Sequence, residues 1–357
     1  IWVLFFHLDV IIFYRDLGPL VPHAATGVLQ KGYLWVDFFF ILSGFIITHV
    51  YRDKLRTLPW KTGIPEYLWC RFTRLYPLHI FTLIVAIVVA TPVAKMYPQV
   101  VDGSWRTYFD WNAIPSHLLF TNAMKQHTYL SWNIASWSIG AEWWTYVTMI
   151  PVFLFLPVGK KRIYIPLAVV SYGLLWLLMF KLGNNKLDIT YDYGFLRCLL
   201  EFTIGICVYQ AYRGAMFRSF FQSDVTAFGV FIAIIACFHW QWHDLVSIPL
   251  FALLILSASV NQSRFKRLLS ARVPQYLGKV SYSVYLIHSL WFLVFWNVFP
   301  HIDFSTSNGT LSVSVRLIYV FSFIALTILC SHFSYRYVEV GVREYLRRNT
   351  AFKLRQH

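Results

Sequence analysis

Arg71 and Arg74 stand three residues apart in the run Leu68-Trp-Cys-Arg-Phe-Thr-Arg-Leu-Tyr-Pro-Leu-His, at the entrance to an apolar stretch that continues to Ala90. On a helix this spacing puts both guanidiniums on one face, where together they match a phosphate or carboxylate. A charge held within lipid costs about 2.5 kcal/mol or more, so such a pair is expected to hold an anion rather than decorate a surface.

Three further constellations carry chemistry. His7, in Phe5-Phe-His-Leu-Asp, lies seven residues before the outer end of its apolar stretch, about 10 Å deep at the helical rise. The next stretch runs back inward from Tyr33 and brings Asp37 to a similar depth, with Ser43 and Gly44 near the middle. An aspartate bonded to a histidine fixes its tautomer and leaves the other ring nitrogen as a base. Asp37 is expected in that role, with Asp9 competing for it.

In Ser136-Trp-Ser-Ile-Gly-Ala-Glu-Trp-Trp-Thr-Tyr, Ser138 and Glu142 fall four apart on one helical face. Glu142 among tryptophans, Trp137 included, suits a sugar ring and its hydroxyls. Tryptophans at this depth equally form an interfacial belt, whereas a buried carboxylate argues for function. In Lys279-Val-Ser-Tyr-Ser-Val-Tyr-Leu-Ile-His288, helical spacing aligns Ser281, Tyr285 and His288. That stripe lines a substrate path or serves as interhelical hydrogen-bonding glue.

Other polar residues invite structural readings. Arg197 and Glu201, four apart, read as a neutralising pair, and His239 and His243 as an interfacial pair without a third metal ligand. Five cysteines without C-x-x-C spacing read as small core hydrophobes, so no metal is expected. Asn308-Gly-Thr matches a glycosylation sequon, and the sequence holds no Walker loop, G-x-G-x-x-G or G-x-S-x-G.

These residues must be positioned by membrane helices. Of 357 residues 58% are hydrophobic and 13% charged, and apolar stretches recur along the whole chain. The expected fold is an all-α polytopic membrane protein with about ten transmembrane helices, over roughly 1–14, 33–51, 66–91, 133–157, 163–181, 193–212, 225–241, 244–260, 276–299 and 312–338. The first is short for about 30 Å of hydrocarbon, so the chain is expected to begin inside its first helix. The long outer connection 92–132, with Trp105, Tyr108, Trp111, His117 and His127, is expected to cap the helices or to lie in the interface.

Nineteen of the 31 Lys and Arg residues fall in one set of alternate loops and seven in the other. The positive-inside rule then places both termini in the cytoplasm. It also accounts for the net charge of +15 without nucleic acid. Residues 1–340 form the transmembrane domain, and 341–357 a basic cytoplasmic tail.

Taken in order, Phe6-His7, Val36-Asp-Phe-Phe-Phe-Ile-Leu-Ser-Gly-Phe45, Arg71-Phe-Thr-Arg-Leu-Tyr-Pro77, Ser136-Trp-Ser-Ile-Gly-Ala-Glu142, Val280-Ser-Tyr-Ser-Val-Tyr-Leu-Ile-His288 and Ser334-Tyr-Arg-Tyr-Val-Glu339 resemble the acyltransferase 3 family of membrane acyltransferases. The resemblance implies transfer of an acyl group, commonly acetyl, from cytoplasmic acyl-CoA to a hydroxyl of an extracytoplasmic glycan or glycolipid, in a bacterial inner membrane. It makes His7 the family's essential histidine and Arg71 and Arg74 its R-x-x-R pair. A family basic residue eleven positions before the histidine falls ahead of Ile1.

On this reading His7 is the general base, Asp37 and Ser43 support it, and Tyr285, Ser43 or the basic residue ahead of Ile1 supplies an oxyanion donor. Arg71, Arg74, Tyr285 and His288 meet the acyl-CoA, and Trp137, Ser138 and Glu142 the acceptor. Acylation of Ser43 or His7 followed by a second transfer is the other route. Two competing classes are a secondary transporter of an anionic solute through Arg71, Arg74, Glu142 and His288, and a membrane-bound O-acyltransferase centred on His288.

Overall fold

The computed structural model describes residues 1–14, 21–157, 161–215, 218–297 and 313–349. The sequon at Asn308 lies outside them, as do residues 350–357 of the tail. Every regular element among the described residues is helical: α1 (Trp2–Tyr14), α2 (Trp35–Thr57), α3 (Trp60–Met96), α4 (Gly103–Tyr108), α5 (Ile114–Leu118), α6 (Trp137–Thr148), α7 (Ile150–Phe155), α8 (Lys161–Lys181), α9 (Gly194–Arg213), α10 (Arg218–Phe221), α11 (Asp224–His239), α12 (Ser247–Val260), α13 (Arg264–Leu269), α14 (Arg272–Asn297), α15 (Val313–Ser334) and α16 (Arg343–Arg348), with a π-helical segment at Tyr335–Val342.

Six helices among the described residues are long and apolar enough to cross a membrane, and three shorter apolar ones, Trp2–Phe13, Asp224–His239 and Asp244–Val260, accompany them. Val88, Ile165, Val169, Phe180, Ile232 and Phe321 are each more than half exposed. Such an apolar exterior is stable against lipid rather than water, and the chain is an integral membrane protein. An apolar groove of about 660 Å³ between α3, α14 and α15, lined by Val85, Val89, Trp291 and Phe333, continues that exterior.

The span expected over 133–157 is two helices, α6 and α7, meeting at Met149. Pro151 sits in the first turn of α7, where its missing N–H costs nothing, but it cannot continue the hydrogen bonding of α6. At the other extreme, α3 runs for 37 residues, well past the apolar stretch on both sides.

The bundle is built around α2 and α9, whose backbones touch. A Cβ on Gly44 would lie 2.1 Å from the Phe202 carbonyl oxygen, and one on Gly205 2.0 Å from that of Ile41. Only glycine permits this approach, which fixes the height of Ser43 and Asp37 against α9.

The outer connection is an ordered cap with Trp105 and Trp132 buried. Trp132 Nε1 donates to the Asp110 carbonyl at 2.7 Å, and the Tyr129 hydroxyl donates to the Asp110 carboxylate. That bond, with the Asn112 amide, holds the Asp110 carboxyl below the usual carboxylate range, while the Tyr129 phenol is pushed up to about 12 by burial and by Asp110. Buried His79 of α3 donates from Nε2 to the His117 carbonyl at 2.9 Å, anchoring the cap to the bundle. His239 pairs with Thr26 at 3.0 Å and His243 caps the Leu245 amide, so both serve turns.

Candidate active site

His7 on α1 and His288 on α14 are brought together, His7 Nδ1 to His288 Nε2 at 3.0 Å. His288 Nδ1 donates to the Val284 carbonyl at 3.1 Å, one helical turn back. Its Nε2 is therefore an acceptor, and His7 Nδ1 carries the hydrogen shared between His288 and the Val3 carbonyl at 3.0 Å. The network leaves His7 Nε2 as the basic nitrogen. His288 is buried and His7 only half-buried, so of the two rings His7 is the one a reactant can reach.

Asp37 is not the partner of His7. Arg197 Nε and Nη2 donate to its two carboxylate oxygens at 2.8 and 2.7 Å, and Nη1 donates to the Ile189 carbonyl at 3.0 Å. Glu201 stands 3.6 Å from the same guanidinium, so the expected Arg197–Glu201 pair is a trio. A forked guanidinium takes both oxygens of a carboxylate at once, which one imidazole N–H cannot match. Asp9, the other contender, meets His23 at 2.8 Å. Trp137 covers the trio with its ring centroid 5.3 Å from the Arg197 guanidinium. Buried there, its face is not open for a sugar to stack on.

One face of α6 carries Ser138, Glu142 and Tyr146 at four-residue spacing, a polar stripe about 12 Å long. At its N-terminal end Ser138 Oγ meets the Tyr285 hydroxyl at 2.8 Å, and the Tyr285 ring lies 5.6 Å from that of His288. In the middle Glu142 accepts from Ser43 Oγ at 2.6 Å and from the Tyr146 hydroxyl. At its C-terminal end the Arg71 guanidinium lies 6.0 Å from the Tyr146 ring and 4.7 Å from that of Tyr51, whose hydroxyl accepts from Nη2 at 2.6 Å. The Arg71 Nε is buried without a partner.

Arg71 and Arg74 share a face, as their spacing predicts, but their surroundings differ. Arg74 is paired with buried Glu339, which also accepts from Ser283 Oγ at 2.7 Å, and lies 5.1 Å from the Tyr282 ring. Arg71 instead reaches inward toward Tyr146. Ser281 bonds its own helix at the Gly278 carbonyl, so of that stripe only Tyr285 and His288 join the polar path.

The cap closes over the histidines. Asn133 donates to the Leu286 carbonyl at 3.0 Å and Ser289 Oγ accepts from the Ala135 amide at 3.1 Å, one contact on either side of His288. An outer pocket of about 400 Å³ lined by Ser104, Thr107, Tyr108, Tyr129, Leu130 and Tyr191 opens in this cap, and Leu130 packs on the cluster formed by α1 and α14.

The chain is 26% identical over 368 residues to the O-acetyltransferase OatA of Staphylococcus aureus (strain NCTC 8325 / PS 47), covering 94% of this chain and 57% of that protein. It thus spans a little over half the length of that relative. It is also 29% identical over 136 residues to the acyltransferase MdmB of Streptomyces mycarofaciens, covering 38% of this chain and 30% of that one. No solved structure is a significant match. An acyltransferase domain matches residues 1–334, nearly everything from α1 to the end of α15, and the chain belongs to the acyltransferase 3 family.

Proposed function

We propose that the chain transfers an acyl group, acetyl in the first instance, from cytoplasmic acyl-CoA to a hydroxyl of an extracytoplasmic carbohydrate or glycolipid, with His7 as general base. The observation that carries this reading is the polar stripe of α6, which runs from Arg71 to Tyr285 and the His7–His288 pair. In the proposed topology ten spans cross a bacterial inner membrane, both termini are cytoplasmic, Arg71 and Arg74 face the donor side and His7 the acceptor side.

Arg71 and Arg74 would hold the donor's phosphates, leaving its long pantetheine arm to follow α6 outward. His7 Nε2 takes the proton of the acceptor hydroxyl as that oxygen attacks the thioester carbonyl. The carbon–sulfur bond breaks, the thiolate leaves, and the His7 imidazolium returns a proton to it, so that acylated acceptor and free CoA are the products. Tyr285 is the proposed hydroxyl donor to the tetrahedral oxyanion. His288 is a positioning residue that keeps the His7 proton on Nδ1. Similarity to a relative named O-acetyltransferase supports acetyl as the group.

The test is a titration of acetyl-CoA into the purified chain in nanodiscs, beside Arg71→Ala/Arg74→Ala. Saturable binding lost in the double variant is expected, followed by an acceptor search with His7→Ala as the inactive control. Absence of binding to folded protein, for acetyl-CoA and longer acyl-CoAs alike, would overturn the donor assignment in favour of transport.

A further inference from the structure

The family match ends at residue 334, yet the chain beyond it folds back onto the arginine pair. After α15 the helix widens into the π-helical segment Tyr335–Val342 and continues as α16. π-Helical turns are frequent at functional sites, where the extra residue per turn re-aims the side chains that follow. Here Glu339, Arg343 and Arg347 follow at four-residue intervals. Glu339 pairs with Arg74. Arg347 meets α3 through two long contacts of 3.4 Å, to Thr73 Oγ1 and the Cys70 carbonyl, within one turn of Arg71 and Arg74. Arg343 lies within electrostatic range of both Arg71 and Arg347.

Four guanidiniums thus gather where α3 meets the tail, all at least half-buried, and Glu339 engages Arg74. Like charges brought together out of water repel, and a polyanion seated among them relieves the repulsion. The unpartnered Nε of Arg71 is a further buried donor. We infer that Tyr335–Arg348 forms the second wall of an anion site at this place, with Arg343 and Arg347 contacting the 3′-phosphate of the CoA adenosine. The assignment rests on the acyl-CoA reading above. Its direction follows from the order of groups in CoA: the diphosphate precedes the pantetheine arm and belongs with Arg71, which reaches toward the α6 stripe. The ribose phosphate lies farther from the thioester and belongs with α16, at the outside of the cluster.

The experiment compares acetyl-CoA with acetyl-dephospho-CoA, which lacks only the 3′-phosphate, on wild type and Arg343→Ala/Arg347→Ala in nanodiscs of zwitterionic lipid. The wild type is expected to prefer acetyl-CoA by roughly tenfold or more, as charge-assisted phosphate contacts would give. The double variant is expected to lose that preference while binding the dephospho ligand as before. Arg347→Gln alone, which preserves the packing of the stem, carries the same test with a smaller shift.

An undiminished preference in the variants, with wild type binding both ligands, would overturn the inference and leave the donor reading intact. Wild type that binds neither ligand would overturn both. Titration repeated in phosphatidylglycerol discs separates a lipid source for the anion. If the variants lose only retention of phosphatidylglycerol and keep the acetyl-CoA preference, the arginines serve lipid headgroups and the inference is overturned.

Discussion

His7 Nδ1 and His288 Nε2 lie 3.0 Å apart, joining two helices whose histidines are 281 residues apart in the chain. Each ring depends on the other, because His288 can accept from His7 only while its own Nδ1 hydrogen is spent on the Val284 carbonyl. His7→Ala is therefore expected to lower turnover by roughly 10²–10⁴-fold, the usual yield of a general base. His288→Ala should lower kcat in the same direction by a smaller factor, with acetyl-CoA binding unchanged in both. His288→Gln, whose amide oxygen can still accept from His7, should recover part of the loss. Full turnover by His7→Ala would move the base to His288.

The Asp37–Arg197–Glu201 trio predicts a different phenotype. Removing one member of a buried ion pair strands the other, a loss of about 3–5 kcal/mol. Asp37→Ala should therefore reduce the amount of folded protein in membranes and lower its thermal unfolding temperature. Any fall in activity should follow the fall in folded material. An Asp37→Ala protein as stable as wild type but inactive would restore a catalytic role to Asp37.

Ser43 sits at the midpoint of the α6 stripe, donating to Glu142 at 2.6 Å. If transfer is direct, Ser43→Ala loses one hydrogen bond and should reduce turnover about tenfold, in line with about 1–1.5 kcal/mol for such a contact. Intact mass after incubation with acetyl-CoA and no acceptor should show no added acetyl group. An acetylated wild type, with the label absent from Ser43→Ala, would establish the two-step route instead.

In the cap, the Tyr129–Asp110 bond sets a pH dependence. The Asp110 carboxyl is held below its ordinary range, chiefly by the Tyr129 hydroxyl. A depressed folded-state pKa contributes stability above the unfolded carboxylate value, and that contribution is lost as pH falls through the folded one. Limited proteolysis of the 97–136 segment across acidic pH should thus find the cap opening below about pH 4, and Tyr129→Phe should open it at a higher pH than wild type. Identical profiles would assign the cap's order to Trp105 and Trp132 alone.

Much of the site is legible along single helices. The shared face of Arg71 and Arg74 and the Ser138–Glu142 spacing both follow from helical periodicity. What periodicity lacks is azimuth. Counting residues along the helices gives Asp37 and His7 a similar expected depth, but α2 turns Asp37 toward α9, where Arg197 waits 160 residues along the chain. Nothing in the sequence pairs His7 with His288: His7 falls seven residues before the end of its expected span and His288 eleven, on stretches at opposite ends of the chain. The break at Pro151 was hidden for another reason: apolar content continues through it, so hydropathy sees one span over 133–157 where the backbone forms two helices.

On the proposed reaction, the glycine contact between α2 and α9 bears on which part of the bundle moves to admit donor and acceptor. With Gly44 and Gly205 backbone to backbone, α2 and α9 cannot slide at that point without losing a contact that only glycine allows. The motion that admits them is expected on the other flank, where α1, α14 and α15 meet through imidazole and aromatic rings.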